Sequence, residues 1–170
     1  VVWDRLDGVL PTSAAELEKL PGIGRYTARA IASIAHGEPV AVLDGNVARV
    51  ISRWVRLENT VDGAEGNRAL WRLAQTVLDT SDPSSHNQAM MELGALICLP
   101  TSPRCAACPV AELCRARIEG DTESYPRKKP KAKSRALQEV AGYIQREDGS
   151  FLMAQRPPKG LLASMWELPG

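Results

Sequence analysis

Leu20-Pro21-Gly22-Ile23-Gly24-Arg25-Tyr26-Thr27-Ala28 joins two segments that read as helices. Upstream, Ser13-Ala14-Ala15-Glu16 is a capping box that starts a helix near Ala14. Pro21-Gly22 stops it after Leu20. Downstream, Tyr26 to His36 reads as a small-residue helix with Ala28, Ile31, Ala32 and Ala35 along one face. Gly22-Ile23-Gly24 between them is a tight turn. Two glycines there let the backbone approach another molecule closely and aim N–H groups outward at a helix start. That geometry suits a phosphate oxygen and needs no lysine. A plain helix–helix turn would use the same residues, so Gly-x-Gly alone does not choose between the two.

Further along, Gly37-Glu38-Pro39 ends the second helix, and Val40-Ala41-Val42-Leu43 is an apolar run leading into Asp44-Gly45-Asn46. Helical patterns follow from about Val47 to Val55, from Glu65 to Asp79 with Leu70, Leu73, Val77 and Leu78 on the buried side, and from Ser85 to Ile97. Residues 1–97 therefore read as all-helical with short connections. Taken alone, Asp44 is an acid placed to cap the helix that begins near Asn46.

All four cysteines lie in one short stretch with the spacing Cys98-x6-Cys105-x2-Cys108-x5-Cys114. Disulfides of secreted proteins tie distant segments together. Four thiols within one loop favour a metal centre, and no signal peptide opens the chain, which agrees with a reducing compartment. Four thiolates suit either a structural zinc or a [4Fe–4S] cube, and chemistry alone does not choose.

Residues 119–136 are polar and contain the run Arg127-Lys128-Lys129-Pro130-Lys131-Ala132-Lys133-Ser134-Arg135, which reads as a basic linker. From residue 137 the pattern turns to strands. Gly142-Tyr143-Ile144 and Phe151-Leu152-Met153-Ala154 flank Glu147-Asp148-Gly149, a hairpin signal. With 170 residues, the chain is long enough for one domain and part of another. Its formal net charge is only +1 and aromatics make up 5%, so affinity for nucleic acid must come from local clusters and backbone geometry. No apolar run approaches the roughly 18 residues of a membrane span. The start at Val1 and the end at Leu168-Pro169-Gly170 both read as cuts.

Leu20 to Ala28, followed by Leu43-Asp44-Gly45-Asn46-Val47-Ala48-Arg49-Val50, resembles the helix-hairpin-helix and catalytic-aspartate segments of the endonuclease III superfamily. The cysteine spacing after Asn87-Gln88-Ala89-Met90-Met91-Glu92-Leu93-Gly94 is similar to that superfamily's iron–sulfur loop. Bifunctional members, which also cut the strand, carry a lysine nucleophile where this chain has Tyr26. They usually carry Asp-Thr-His where it has Asp44-Gly45-Asn46. Tyrosine cannot form a Schiff base with the sugar. Both features match the adenine DNA glycosylase branch. Gln155-Arg156-Pro157 and Leu161 to Gly170 look like the opening of that family's Nudix-like domain, which senses 8-oxoguanine in the opposite strand; Trp166 is expected in its core.

The resemblance implies a mainly α fold. A partial helix-hairpin-helix glycosylase domain would occupy residues 1–118, with a [4Fe–4S] loop at 98–114 held by Cys98, Cys105, Cys108 and Cys114. The start of an α/β Nudix-like domain would follow the linker at 137–170. The implied reaction is hydrolysis of the N-glycosidic bond of adenine mispaired with 8-oxoguanine or guanine in duplex DNA, with the adenine flipped out of the stack. Asp44 would stabilise the oxocarbenium-like transition state, and Tyr26 and Asn46 would position it. Pro21, Gly22, Ile23, Gly24 and Arg25, with Arg104, Arg115 and Arg117 of the cysteine loop, would contact DNA. The protein is expected as a monomer without membrane association, in the cytoplasm at the nucleoid, or in the nucleus or mitochondrion of a eukaryote.

One departure stands out. The family's general acid is a glutamate on a helix well upstream of the hairpin, and no position here matches it; Glu16 and Glu18 lie on the wrong segment. The 170 residues alone are therefore expected to be a poor enzyme. Two other readings remain open: an endonuclease III-type glycosylase and lyase, which Tyr26 opposes, and a non-catalytic helix-hairpin-helix module with a structural metal.

Overall fold

The computed structural model describes residues 6–130 and 138–170. They fall into two compact units, Val1–Pro130 and Lys131–Gly170. Among the described residues no helix is long and apolar enough to cross a membrane.

The first unit is helical. Helix α1 (Ala14–Leu17) starts where Ser13 Oγ accepts the Glu16 N–H at 3.3 Å. Glu16 does not reach back as a full capping box requires; its carboxylate holds Lys19 at 2.6 Å. Helix α2 (Arg25–His36) ends at Gly37, whose φ of 68° lets its N–H return to the Ala32 and Ser33 carbonyls. Ala14 and Leu17 pack against Ala28 and Ala32, with Leu20 and Ile23 at the edge of this small core. Burial of Leu17, with Ile23 packed half-buried against the same cluster, pins the loop between the two helices.

The larger core joins helices α3 (Gly45–Val55), α4 (Ala64–Val77) and α5 (Pro83–Glu92). Val47, Val50 and Ile51 of α3 meet Leu70 and Ala74 of α4 and Met90 of α5, with Ala41 and Leu43 entering from the preceding segment. The periodicity expected one helix from Ser85 to Ile97. The α-helix instead ends at Glu92 and widens into a π turn over Leu93–Ile97, in which the Cys98 N–H reaches back to the Leu93 carbonyl at 2.7 Å. The widened turn presses Gly94 onto α3.

The cysteine loop is built from single turns at Cys105–Ala107 and Ala111–Leu113 and the short helix α6 (Arg115–Ile118). The expected linker departs from its sequence reading. Residues 119–130 belong to the first unit, and the remainder of the expected linker at 131–136, with residue 137, lies outside the described residues. Tyr125 is 1% exposed and packs with Cys114, Ala116 and Trp54. Its hydroxyl donates to Glu58 at 2.8 Å, and Arg56 holds Asp121 at 2.6 Å. A single aromatic with apolar partners outweighs the polar composition around it.

The second unit is a small antiparallel β structure. Strands β1 (Ala154–Gln155) and β2 (Trp166–Glu167) pair in the register Ala154 to Glu167 and Gln155 to Trp166. The expected hairpin forms around Glu147-Asp148-Gly149, with Gln145 bridging Phe151 and the Tyr143 and Phe151 rings 5.8 Å apart. Trp166, expected in a core, is 62% exposed, because two-residue strands offer too little surface to cover an indole.

Candidate functional site

The segment leading to Asp44 is extended, but among the described residues no strand pairs with it. Carboxamides replace the missing strand. Asn87, buried on α5, accepts the Val42 N–H and donates to the Val40 carbonyl, both at 3.0 Å. Gln75 on α4 accepts the Ala41 N–H and donates to the Pro39 carbonyl, again at 3.0 Å each. Four backbone groups are thereby satisfied, and the chain arrives at Asp44 in one fixed path.

Asp44 is the N-cap of α3. Its Oδ1 accepts the Val47 N–H at 2.7 Å, and its Oδ2 accepts from Asn46 Nδ2 at 3.0 Å. Asn46 cannot flip, because its Oδ1 accepts from Arg49 Nη2 at 2.9 Å. Arg49 in turn donates to the carbonyls of Gly94 and Cys98, both at 2.7 Å. Partial burial lowers the Arg49 pKa, opposed by the Cys98 and Asp44 charges. The carboxylate is thus held by the helix start on one oxygen and by an Asn46–Arg49 relay to the cysteine loop on the other. A carboxylate oriented this way is suited to face a developing positive charge.

Tyr26 lies on the first turn of α2 and is 43% exposed. Its hydroxyl reaches Met91 Sδ at 3.8 Å, and no hydrogen bond joins it to Asp44. Of the three expected catalytic side chains, Asp44 and Asn46 are joined by a hydrogen bond, and the Tyr26 hydroxyl bonds to neither.

In the hairpin, Gly22 has φ +83°, a conformation other residues adopt only with strain, and the Ile23 N–H closes the turn on the Leu20 carbonyl at 3.1 Å. Gly24 precedes α2 as an N-cap with no capping side chain. The first N–H groups of α2 therefore have no side-chain acceptor at the cap. A Cβ on either glycine would meet nothing within 4 Å, so the space above them is open. Pro21, Gly22, Gly24 and Arg25 are exposed, and Ile23 is half-buried.

Cys98, Cys105, Cys108 and Cys114 line one pocket together with Arg53 and Arg117. The Cys105 thiol is pushed up, first by burial and then by the charges of Cys114, Cys98 and Cys108. Four thiolates so close to one another need a cationic centre to hold them deprotonated. Arg53, which the sequence reading did not single out, anchors this loop. It is 1% exposed and donates to the carbonyls of Thr122 (2.8 Å), Tyr125 (3.1 Å), Leu99 (2.6 Å) and Pro100 (2.9 Å). It also reaches Cys98 Sγ at 3.2 Å, the kind of N–H···S contact that tunes metal-bound thiolates. Among the described residues no three His, Cys, Asp or Glu side chains form a ready single-ion site. What the thiols share is the pocket wall. Arg104, Arg115 and Arg117 are exposed on the loop, and Arg117 pairs with Glu112 at 3.3 Å.

A helix-hairpin-helix motif matches residues 5–34. The chain is 41% identical to the adenine DNA glycosylase of Arabidopsis thaliana over 94% of its own length and 27% of that protein. It is 34% identical to the Schizosaccharomyces pombe adenine DNA glycosylase over 94% of the chain and 43% of the relative. Against the human one the figures are 35%, 99% and 39%. It thus spans less than half the length of these relatives. Among solved structures, a thermostable thymine-DNA glycosylase superposes with a TM-score of 0.59 at 31% identity, covering 70% of this chain and 54% of that one. An endonuclease III in a non-covalent complex with DNA gives 0.57 at 29% identity with the same coverage.

Proposed function

We propose that this chain is part of an adenine DNA glycosylase, and that the whole protein hydrolyses the N-glycosidic bond of adenine mispaired with 8-oxoguanine or guanine. The observation that carries this reading is the fixed Asp44 carboxylate at the start of α3, held on both oxygens. Because the chain covers less than half of such relatives, the activity is ascribed to the full-length protein.

The hairpin of Pro21, Gly22, Ile23, Gly24 and Arg25 binds the DNA backbone. The N–H groups at the α2 start receive a phosphate oxygen, and Arg25 adds charge. Arg104, Arg115 and Arg117 contact further phosphates from the cysteine loop. With adenine flipped out, the bond from C1′ to N9 breaks with its electron pair leaving on the base. Positive charge builds on the sugar, and Asp44 stabilises it through space or by transient bonding to C1′. Asn46 keeps the carboxylate oriented, and Tyr26 borders the sugar. Water then adds to C1′ and loses its proton, leaving an abasic site on an intact strand. The proton for the departing adenine comes from a general acid without a counterpart among these 170 residues.

Cys98, Cys105, Cys108 and Cys114 hold a [4Fe–4S] cluster, whose contribution is to neutralise the thiolates and cross-link the loop. The one pocket that all four thiols line and the Arg53 contact to Cys98 support this donor set. Residues 137–170 form the opening of a Nudix-like domain that reads the opposite base. Full-length protein incubated with duplexes bearing adenine opposite 8-oxoguanine, guanine or thymine tests the reading. Free adenine should come from the first two and far less from the third. Equal release from all three, or none from any, would overturn it.

A further inference from the structure

Helices α2 and α4 flank an open cleft of about 570 Å³ lined by Arg25, Arg29, Arg68, Trp71, Arg72 and Gln75, with Glu65 its one carboxylate. No bond-making or bond-breaking step of the proposed reaction uses a side chain of α4. The arginines repeat one turn apart on each helix, at 25 and 29 on α2 and at 68 and 72 on α4, so two rows of charge share the cleft. Trp71 lies between them. The Arg25 guanidinium stacks 4.1 Å over its ring and that of Arg29 lies 5.2 Å away. Arg29 turns inward to the Gln75 side chain and the Ala41 carbonyl, and burial followed by the Arg25 charge lowers its pKa. Arg25, Arg68 and Arg72 are exposed.

Four arginines elsewhere find acids: Arg56 holds Asp121, Arg117 Glu112, Arg127 Glu58 and Arg156 Glu167, while the buried Arg53 and the partly buried Arg49 are taken up by backbone carbonyls. Among the described residues none of the four cleft arginines forms an ion pair. In a chain whose net charge is only +1, this is a local excess of positive charge left for an outside anion. Planar guanidiniums match the geometry of phosphate oxygens bidentately. The cleft is also continuous with the hairpin, since Arg25 directly follows Gly24. A peptide partner would need an apolar anchor, yet the Trp71 face is already occupied by Arg25.

We propose that this α2–α4 cleft, through Arg68 and Arg72, grips the phosphodiester backbone of duplex DNA flanking the stretch held by the hairpin. The proposal rests on the glycosylase reading and extends its footprint onto α4. Trp71 has a supporting part: it fixes the Arg25 guanidinium so that little side-chain freedom is lost on contact.

The test uses the full-length protein and a fluorescent duplex containing adenine opposite 8-oxoguanine, with binding measured from about 50 to 200 mM KCl. R68A/R72A should weaken binding and make the dependence of log K on log salt shallower by about 1 per arginine. Single-turnover adenine release at saturating protein should match wild type. R68K/R72K should restore the slope, because it keeps the charges, and would distinguish lost contact from a damaged fold. Wild-type affinity and slope in R68A/R72A, with normal adenine release, would overturn the proposal and leave the cleft to an acidic protein segment. Wild-type protein that releases no adenine would instead sink the glycosylase reading, and this proposal with it.

Discussion

Gly94 lies so close to Asn46 that a Cβ built on it would fall 2.6 Å from the Asn46 Cβ and 3.0 Å from its Cα. The π turn that carries Gly94 is thereby wedged against the first turn of α3, directly behind the side chain that orients Asp44. Gly94→Ala should force the two elements apart. A loss of about 1–3 kcal/mol in stability is expected from overpacking. Adenine release by the full-length protein should fall more than DNA affinity does, because Asn46 shifts while the hairpin stays. Unfolding curves and single-turnover rates measure the two effects. An unchanged rate in the alanine variant would show that Asn46 is not pinned from this side.

Arg53 should tolerate no substitute. Lysine offers three donors on a point charge where the guanidinium serves four carbonyls and a sulfur from one plane. Arg53→Lys is expected to cost more than about 3 kcal/mol, since buried carbonyls lose their partners. Urea unfolding followed together with metal content checks this. A variant as stable and as metal-loaded as wild type would show that the loop holds itself.

The cysteine loop carries its own prediction. Full-length protein purified without oxygen should be brown and contain iron and sulfide, and Cys105→Ser should lose most of that iron along with the ordered loop. One zinc per chain and no iron would replace the cube with a single ion.

The parts of the fold legible in the sequence were those with local causes. Ser13, Gly37 and Asp44 mark helix ends through bonds that span only a few residues, and of the apolar positions read as a buried side Leu70 and Leu78 are buried while Val77 is exposed. What stayed hidden depends on distant partners. Arg49 and Arg53 look like ordinary charges on an amphipathic helix, yet their acceptors lie more than 40 residues away. Their spacing of one turn on α3 was the available signal. Gly94 sits within a helical pattern, where a glycine is unfavourable unless something packs on it. Tyr125 was masked by its charged neighbours, and Trp166 was credited with a core that two short strands do not provide.

Tyr26 decides the fate of the strand once the base is gone. A lyase needs an amine that condenses with the sugar aldehyde, and the position that supplies it in bifunctional relatives is tyrosine here. Full-length protein should leave an abasic strand that breaks only on heating in alkali. Tyr26→Lys should gain some borohydride-trapped DNA adduct, limited by an amine whose pKa is not tuned. Strand scission by wild type as fast as adenine release would require another amine and a different branch of the superfamily.

The central claim is that Asp44 acts on the sugar and does not merely cap α3. Asparagine caps a helix as well as aspartate does, so Asp44→Asn should keep the fold while removing the charge. The measurement is single-turnover adenine release by full-length Asp44→Asn on a duplex carrying adenine opposite 8-oxoguanine, with duplex affinity and the unfolding midpoint taken in parallel. The account predicts release slowed by more than about 100-fold with affinity and midpoint close to wild type. Release within a few-fold of wild type would contradict it and return Asp44 to a structural role.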